Sequence, residues 1–296
     1  MRIRPTMKRG TLLLAGLVLA LPALAAFTER YYFEVPDDGE RSLEADFELA
    51  LGRIAVGEAE RGYLFQAEVA LEDEDMKPGL DLDVEDGYAR LELGFASDSK
   101  GTTGLTVRGF KPPEENEWLL FFSRRVPLDL QFELGMAEAD LDLTGFQVQR
   151  LGIESGMATT RLTFDRPNAL EMEELTIDAG MAKFYGERLG NARFRHLTFD
   201  GGAGSFVLDF TGGPLPPGAH AEINAGMCAL RVVLPEGVPI VLEAPDSWLT
   251  RVELPNGFVK RGAGLWHSEA VRDAADAFHV EIDAGVGKVS IVASAD

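Results

Sequence analysis

The sequence is poor in cysteine, histidine and basic residues, and each shortage argues against a class of site. A single cysteine, Cys228, among 296 residues excludes an internal disulfide framework. The four histidines, His196, His220, His267 and His279, show no pair at helical or strand spacing, so no zinc template is predicted. Lysines and arginines number 28 against 49 aspartates and glutamates, which argues against nucleic acid and anionic membrane surfaces as partners.

Catalytic and cofactor motifs are missing as well. The sequence contains no G-x-S-x-G elbow, no Walker loop and no dinucleotide fingerprint. Carboxylate pairs for glycoside hydrolysis stay open as an alternative, but a chain this acidic singles out no pair. The sequence therefore predicts no catalytic residue, no cofactor-binding residue, no metal ligand and no cofactor.

Only one long apolar run is present, and it lies at the N-terminus. The segment MRIRPTMKRG carries four basic residues and no acid, and the apolar run TLLLAGLVLALPALAA follows it. A basic start, an apolar middle and an Ala-x-Ala exit at Ala23 and Ala25 predict a secretory signal peptide over residues 1–25. A retained membrane anchor is the alternative, although the run is short for a bilayer span and contains Pro22.

Cleavage of this segment would leave an acidic exported chain. It removes four of the 28 basic residues and no acid, so 24 basic and 49 acidic residues remain, a net charge of −25. No later segment is long and apolar enough to span a bilayer, so no stable membrane insertion is expected after cleavage. We therefore expect a periplasmic, extracellular or cell-surface protein.

The rest of the chain repeats one short phrase. It reads IESGMATT from Ile153, IDAGMAKF from Ile177, INAGMCAL from Ile223 and IDAGVGKV from Ile282. The repeated glycines are Gly135, Gly156, Gly180, Gly202, Gly226 and Gly285. Positions three and five residues before each glycine are apolar in all six copies, and polar residues alternate with them. Such alternation predicts a strand with one buried face.

The apolar positions change parity after each glycine. They now lie four and six residues on, as in Phe184 and Leu208. Because a one-residue slip turns every side chain of a strand to the other face, a bend or bulge at the Gly-Met step is predicted. Glycine suits that step because it tolerates unusual φ and close backbone approach. The methionines that follow the glycines are interpreted as a buried packing ladder, and Cys228 as a small buried filler.

The spacing of the copies indicates the fold. Successive central glycines lie 21, 24, 22 and 24 residues apart, which predicts an all-β, parallel β-solenoid with rungs of about 22 residues. An antiparallel β-sandwich is the alternative, but it would not require matching residue types at matching offsets. We expect residues 26–117 to form divergent rungs with a projecting loop, and residues 118–296 to form the regular solenoid.

The repeat is less regular outside the six copies named above. Two further copies are placed around Gly52 and Gly87, and one more rung is expected between residues 241 and 267. Residues 267–278 are the best candidate for a helix, with a loop as the alternative. The C-terminal segment 285–296 is interpreted as the last strand of a terminal rung.

Two segments interrupt the repeat. Residues 98–127 break the period, and within them RGFKPPEENEW contains Pro112 and Pro113 followed by acids, which predicts a projecting loop. The acidic segment 72–86 raises the question of calcium, which prefers clustered carboxylates. Its spacing does not match an EF-hand, and its acids alternate with apolar residues, so a solvated strand and loop is predicted instead.

The repeats also resemble a known family. The stretch from WLLFFSRRVPLDLQFELGMAEADLDLTG to LGIESGMATTRLTFDRPN resembles the bacterial toast-rack domains, as does LTIDAGMAKFYGERLGNARFRHLTFDGGAGSFVLDFTG. These are exported β-solenoid modules related to adhesin-type domains and to the C-terminal part of LiaF-like proteins. The resemblance covers residues 118–296 well and residues 27–117 poorly. It implies placement at the envelope and adhesive contact, and it offers no catalytic residues.

These observations favour a non-catalytic, exported β-solenoid that serves as a binding, adhesive or structural module for an unknown envelope protein or glycan. An accessory role in cell-envelope stress signalling is the alternative, although the chain lacks the membrane helices typical of LiaF-like sensors. A carbohydrate-active solenoid enzyme is the third hypothesis. A deep groove lined by acidic and basic residues would favour that enzyme.

The register predicts opposite effects for two neighbouring substitutions. Ile177→Asp should unfold the central rungs, because an unpaired charge in a stacked core costs several kcal/mol, on the order of 3–5. Asp178→Lys should change the free energy of unfolding by only about 0.5 kcal/mol or less, because the side chain is exposed. Thermal denaturation of both variants checks this, and equal melting temperatures would contradict the register.

Overall fold

The computed structural model describes residues 8–9, 29–72, 76–95, 116–244 and 250–294. Apart from Lys8–Arg9, the predicted signal peptide lies outside these residues, as does most of the predicted projecting loop. Within the described ranges, no helix has the length and apolar character needed to cross a membrane.

The described residues form an all-β structure in which every strand belongs to one continuous sheet. The strands are β1 (Lys8–Arg9), β2 (Glu29–Pro36), β3 (Ser42–Glu58), β4 (Tyr63–Leu71), β5 (Pro78–Glu85), β6 (Tyr88–Phe95), β7 (Glu117–Phe122), β8 (Pro127–Asp142), β9 (Gln147–Ser155), β10 (Thr159–Thr163), β11 (Met172–Ala179), β12 (Lys183–Glu187), β13 (Phe194–Asp209), β14 (His220–Pro235), β15 (Ile240–Glu243), β16 (Thr250–Glu253), β17 (Phe258–Gly262), β18 (Leu265–Ser268) and β19 (Phe278–Ser294). One short 3-10 turn occupies Leu189–Ala192.

The sheet is a parallel β-solenoid with two faces, as the sequence predicted. On the first face the parallel order is β6, β3, β8, β9, β11, β13, β14, β19 and β15. On the second face the parallel order is β7, β3, β8, β10, β12, β13, β14, β19 and β16. The long strands β3, β8, β13, β14 and β19 run through both faces and bend between them. Each rung therefore contributes one segment to each face.

The register stacks equivalent positions of successive rungs directly on one another. Ile177 pairs with Ile153 on one side and with Phe199 on the other, as the alignment of the glycines required. The apolar positions before and after the glycines are buried in every copy, so the predicted parity change is confirmed. Burial of one large apolar side chain contributes about 1.5–3 kcal/mol, so these ladders are the main source of stability.

The bend between the faces occurs at the Gly-Met step. The residue before the glycine and the second residue after it are buried in most copies, so two successive residues point outward. A Cβ atom added to Gly202 would lie 2.6 Å from the carbonyl oxygen of Gly180, and one added to Gly135 would lie 2.4 Å from that of Ala50. None of the six repeated glycines, all of them described, has a left-handed φ. Close approach between rungs therefore explains these glycines, and unusual φ does not.

The buried methionine ladder was a wrong prediction. Met136 is buried, but Met157, Met181 and Met227 are exposed. The reason is geometric, because a strand that changes parity over two residues must turn both of them outward, and methionine is the second of the two. The slot that follows holds small buried residues, among them Cys228, as predicted.

The two weaker copies differ from their predicted places. Leu49 pairs with Leu134 and Leu51 with Met136, so Ala50, and not Gly52, takes the position of the repeated glycine in β3. The segment around Gly87 is not a complete rung, because β5 and β6 form an antiparallel hairpin of which only β6 pairs in parallel with β3. Asp86 and Gly87 both have positive φ, at 52° and 82°, as a tight two-residue hairpin turn requires.

The C-terminal strand is not at the end of the solenoid. Strand β19 lies between β14 and the pair β15 and β16, so the prediction of a terminal position was wrong. The further rung expected within residues 241–267 is formed by β15 and β16. Residues 267–278 form no helix, since β18 ends at Ser268 and turns lead to β19. Antiparallel strands flank the parallel rungs, with β5 at one end and β17 and β18 at the other.

Buried asparagines secure the loops at the corner opposite the Gly-Met step. The Asn168 side chain donates to the Val148 carbonyl at 2.6 Å and accepts from the Val148 amide at 3.0 Å. The Asn191 side chain donates to the Phe164 carbonyl at 2.7 Å and accepts from the Gly213 amide at 2.5 Å. These contacts satisfy backbone groups that the turns would otherwise leave unpaired in the interior.

The close approach at the Gly-Met step gives a direct prediction. Gly202→Ala should lower the free energy of unfolding by about 1–3 kcal/mol, because the new methyl group would collide with the backbone of the neighbouring rung. Gly262→Ala is the matched control, since its nearest neighbour would be the Leu265 Cβ atom at 3.7 Å. Urea unfolding measures both variants, and an equal effect in the two would contradict the packing explanation.

Candidate binding surface

Three rows of equivalent residues run along the solenoid at the Gly-Met step. The glycine row consists of Gly135, Gly156, Gly180, Gly202, Gly226 and Gly285. The methionine row follows it by one residue and consists of Met157, Met181, Ala203, Met227 and Val286. The acid row precedes the glycine row by two residues and consists of Glu48, Glu133, Glu154, Asp178, Asp200, Asn224 and Asp283. The constant register of the rungs aligns all three rows.

The acid row places like charges on neighbouring strands. Strands in a sheet lie about 4.7–4.9 Å apart, so each carboxylate from Glu48 to Asp200 has another directly beside it, an unfavourable arrangement. The pKa of Glu133 is raised, first by burial and then by Glu154, Glu48 and Asp46. Among the described residues, no lysine or arginine forms an ion pair with a member of this row. The row is therefore a line of uncompensated negative charge.

One break in the acid row relieves the repulsion locally. The Asn224 amide donates to the Asp200 carboxylate at 3.0 Å and to the Glu222 carboxylate at 3.2 Å. Arginines occur on neighbouring rows of the same face, where Arg90 pairs with Glu44 and Arg150 with Asp129. The cations of this face thus neutralise other carboxylates and leave the acid row charged.

The methionine row is an exposed apolar stripe. The exposed fractions are 41% for Met157, 65% for Met181, 70% for Met227 and 52% for Val286. Contiguous exposed apolar residues on a soluble protein mark a contact surface more often than single ones do. Methionine is also common at surfaces that adapt to a partner, because its side chain is unbranched and flexible.

A shallow groove of about 460 Å³ lies along the glycine row, next to the acid row. Its floor is the backbone of the glycine row, and its wall includes the acid-row residues Asp178, Asp200, Asn224 and Asp283. The absence of side chains along the floor lets a partner approach the backbone closely. The groove therefore places the carboxylates of the acid row beside bare backbone along one line.

A second groove lies on the first face around Gly152. It has a volume of about 560 Å³ and is lined by polar residues that include Glu44, Arg150, Glu154 and Glu174. Gly152 has no side chain, and the Gln131 side chain occupies part of the space that a side chain there would fill. The groove mixes acids with a cation, but that cation, Arg150, is paired with Asp129.

Three histidines meet on the first face, which the sequence analysis missed. His196, His220 and His279 stand in one register row, and the rings of the last two are 6.4 Å apart. The signal was present, since each precedes a repeated glycine by six residues. The His279 Nε2 atom is 2.7 Å from the Ala274 carbonyl oxygen. Within the described part of the chain, no three metal-ligating side chains are placed to hold a metal ion.

The acidic segment and Cys228, the other candidates from the sequence, have structural roles. Asp81, Asp83 and Glu85 form the exposed face of β5, as predicted for the acidic segment, of which residues 73–75 lie outside the described ranges. Cys228 is almost fully buried, and burial raises the pKa of its thiol. The thiol is therefore kept in its protonated, unreactive form, in agreement with a filler role.

Comparisons with known proteins identify a family. The family model described as the N-terminal domain of toast_rack, DUF2154, matches residues 26–185. The match includes residues 27–117, which were expected to resemble the family poorly. None of the curated proteins compared with the chain matches it.

Solved structures that align with most of the chain were also found. The crystal structure of a predicted cell adhesion protein from Clostridium sporogenes is 16% identical, with a TM-score of 0.45, and the alignment covers 90% of this chain and 100% of that one. That of a predicted lipid binding protein from Parabacteroides distasonis is 13% identical, with a TM-score of 0.35, over 91% and 95% of the two chains. That of a predicted adhesin from Parabacteroides merdae is 10% identical, with a TM-score of 0.34, over 90% and 95%.

The raised pKa of Glu133 predicts a pH dependence of stability. Its carboxyl favours the folded state while protonated, and this contribution is lost as the pH rises from below the ordinary value of 4.5 through the folded pKa. Glu133→Gln should therefore raise the free energy of unfolding at neutral pH by about 0.5 kcal/mol. The gain should vanish in acid, where the wild-type carboxyl is also neutral.

Urea unfolding at neutral pH and at about pH 3.5 measures this difference. Glu60→Gln is the control, because Glu60 is an exposed turn residue away from the acid row. An equal gain for both substitutions at neutral pH would show that net charge, and not the acid row, is responsible.

Proposed function

The chain belongs to the family of toast-rack N-terminal domains, and from this membership we propose that it is an exported, non-catalytic binding module of the cell envelope. The basic and apolar N-terminal segment supports export. The acid row, the methionine row and the glycine row form its contact surface. Its partner is an envelope protein that presents apolar side chains next to lysines or arginines.

The observation that carries this proposal is the exposed methionine row beside the uncompensated acid row. Each row by itself is unfavourable in water, since one exposes apolar surface and the other stacks like charges. A partner that covers the methionines and neutralises the carboxylates removes both costs at once. Charge complementarity of this kind mainly sets association rate and specificity, and burial of the apolar stripe supplies affinity.

The surface favours a protein partner over a glycan. The acid row could accept hydrogen bonds from either partner, but the methionine row offers only apolar or weakly hydrogen-bonding side chains, which apolar side chains of a protein cover better than the hydroxyl groups of a glycan do. A membrane sensor with a basic and apolar segment outside the bilayer would present the required side chains. With such a partner, the chain would act as an accessory protein in envelope stress signalling.

Site-specific photo-crosslinking tests the proposal. A photoreactive amino acid is placed at Ala203, an exposed member of the methionine row, or at Arg231, an exposed position on the second face. Illumination of cells that produce the full chain should give an envelope-protein adduct at position 203 and not at 231. Replacement of Met157, Met181 and Met227 by glutamine should reduce that adduct at least tenfold.

The same samples test export. The mass of the recovered protein should correspond to a chain that begins at Ala26, after removal of residues 1–25. An intact chain in the cytoplasm would contradict export. Identical adducts at positions 203 and 231, or a glycan adduct at 203, would contradict the proposed surface or its protein partner.

A further inference from the structure

We propose that the segment bound at this surface is a basic, amphipathic α-helix that lies along the solenoid axis, across the strands. The inference rests on the proposed function, because it names the shape and chemistry of the partner segment. Its basic stripe faces the acid row, its apolar stripe faces the methionine row, and its axis follows the glycine row.

Backbone pairing excludes recognition by strand addition at this place. The amides of the bend are already bonded between rungs, since the Met181 amide donates to the Gly156 carbonyl at 2.9 Å and the Ala203 amide to the Gly180 carbonyl at 2.9 Å. Addition of a strand requires a free sheet edge, and the three rows cross the interior of the sheet. A partner must therefore be recognised by its side chains.

The spacing of the rows matches a helix. Neighbouring rungs are about 4.7–4.9 Å apart, and one turn of an α-helix rises about 5.4 Å. Over the four steps from Met157 to Val286 the mismatch accumulates to roughly 2.4 Å, which flexible methionine and lysine side chains can absorb. An extended segment repeats its side chains every ~6.7 Å and would lose step by more than one full rung over the same distance.

The width of the surface also matches a helix. The acid row and the methionine row are separated by three residues along each strand, which corresponds to at most about 10 Å because the strand bends at the Gly-Met step between them. An α-helix with its side chains has a diameter of about 10–12 Å. The glycine row leaves room between them, because its members carry no side chain and the groove there has a volume of about 460 Å³.

The charges set the composition of the helix. Glu154, Asp178, Asp200 and Asp283 present carboxylates along one side, and the amide of Asn224 interrupts them once. The row from Met157 to Val286 is about 19 Å long, which a helix of roughly 13 residues spans. Three or four lysines or arginines at intervals of three and four residues would face the carboxylates, with leucine-like side chains on the adjoining stripe.

A designed peptide tests the inference with the chain from residue 26 onward. The probe is a fluorescent 16-residue peptide of lysine, leucine and alanine with adjoining basic and apolar stripes. Two controls have the same length and net charge, one with the order scrambled and one with a proline at the centre. Fluorescence anisotropy gives Kd, and circular dichroism reports the helix content of the bound peptide.

We expect the striped peptide to bind at least tenfold more tightly than either control, with a rise in helix content on binding. The combined substitution Met157→Gln, Met181→Gln and Met227→Gln should weaken binding at least tenfold, whereas Arg231→Gln should not. Asp178→Asn with Asp200→Asn should flatten the salt dependence of Kd, because screening then acts on fewer charges. Thermal melting confirms that each variant is folded.

Equal binding of the striped, scrambled and proline peptides would overturn the helix, because charge alone would then explain association. A crosslinked partner at position 203 that contacts the surface through an extended segment would also overturn it and leave the binding module intact. Absence of any surface-dependent crosslink, together with peptide binding that ignores the methionine and aspartate substitutions, would overturn both proposals.

Discussion

The structure depends on the in-register stacking of parallel rungs. Backbone hydrogen bonds hold each rung at a fixed offset from the next, so residues at one position of the repeat form a continuous row. Inward rows bring like apolar side chains together and build the core. Outward rows bring like polar or charged side chains together in the same way. The core and the surface therefore share one cause.

The Gly-Met step shows how one constraint produces another. Close approach of successive rungs requires glycine at Gly135, Gly202, Gly226 and Gly285. The change of parity then turns two residues outward and exposes the next one, which is methionine in three of the central rungs. The close packing of rungs thus leaves the glycine row without side chains and places the exposed methionine row next to it. The carboxylates two residues earlier complete a surface with two kinds of chemistry.

The proposed function follows from the cost of that surface in isolation. Burial, and after it the neighbouring carboxylates Glu154, Glu48 and Asp46, raise the pKa of Glu133, so its charged form is disfavoured there. The exposed methionines add apolar area in water. Both costs disappear when a basic and apolar partner is bound. The distance between rungs therefore sets the spacing of the side chains that a partner must present.

The sequence by itself determined the parallel solenoid, the buried faces and the position of the bend. Alternation within each strand shows which face is buried, and the constant spacing of the copies shows that successive rungs stack. The sequence did not determine how strands that are distant along the chain pair with one another. The antiparallel hairpin at Gly87 and the insertion of β19 between β14 and β15 depend on contacts between distant segments. The outward direction of Met181 was decided by the geometry of the bend, where two residues share one change of face.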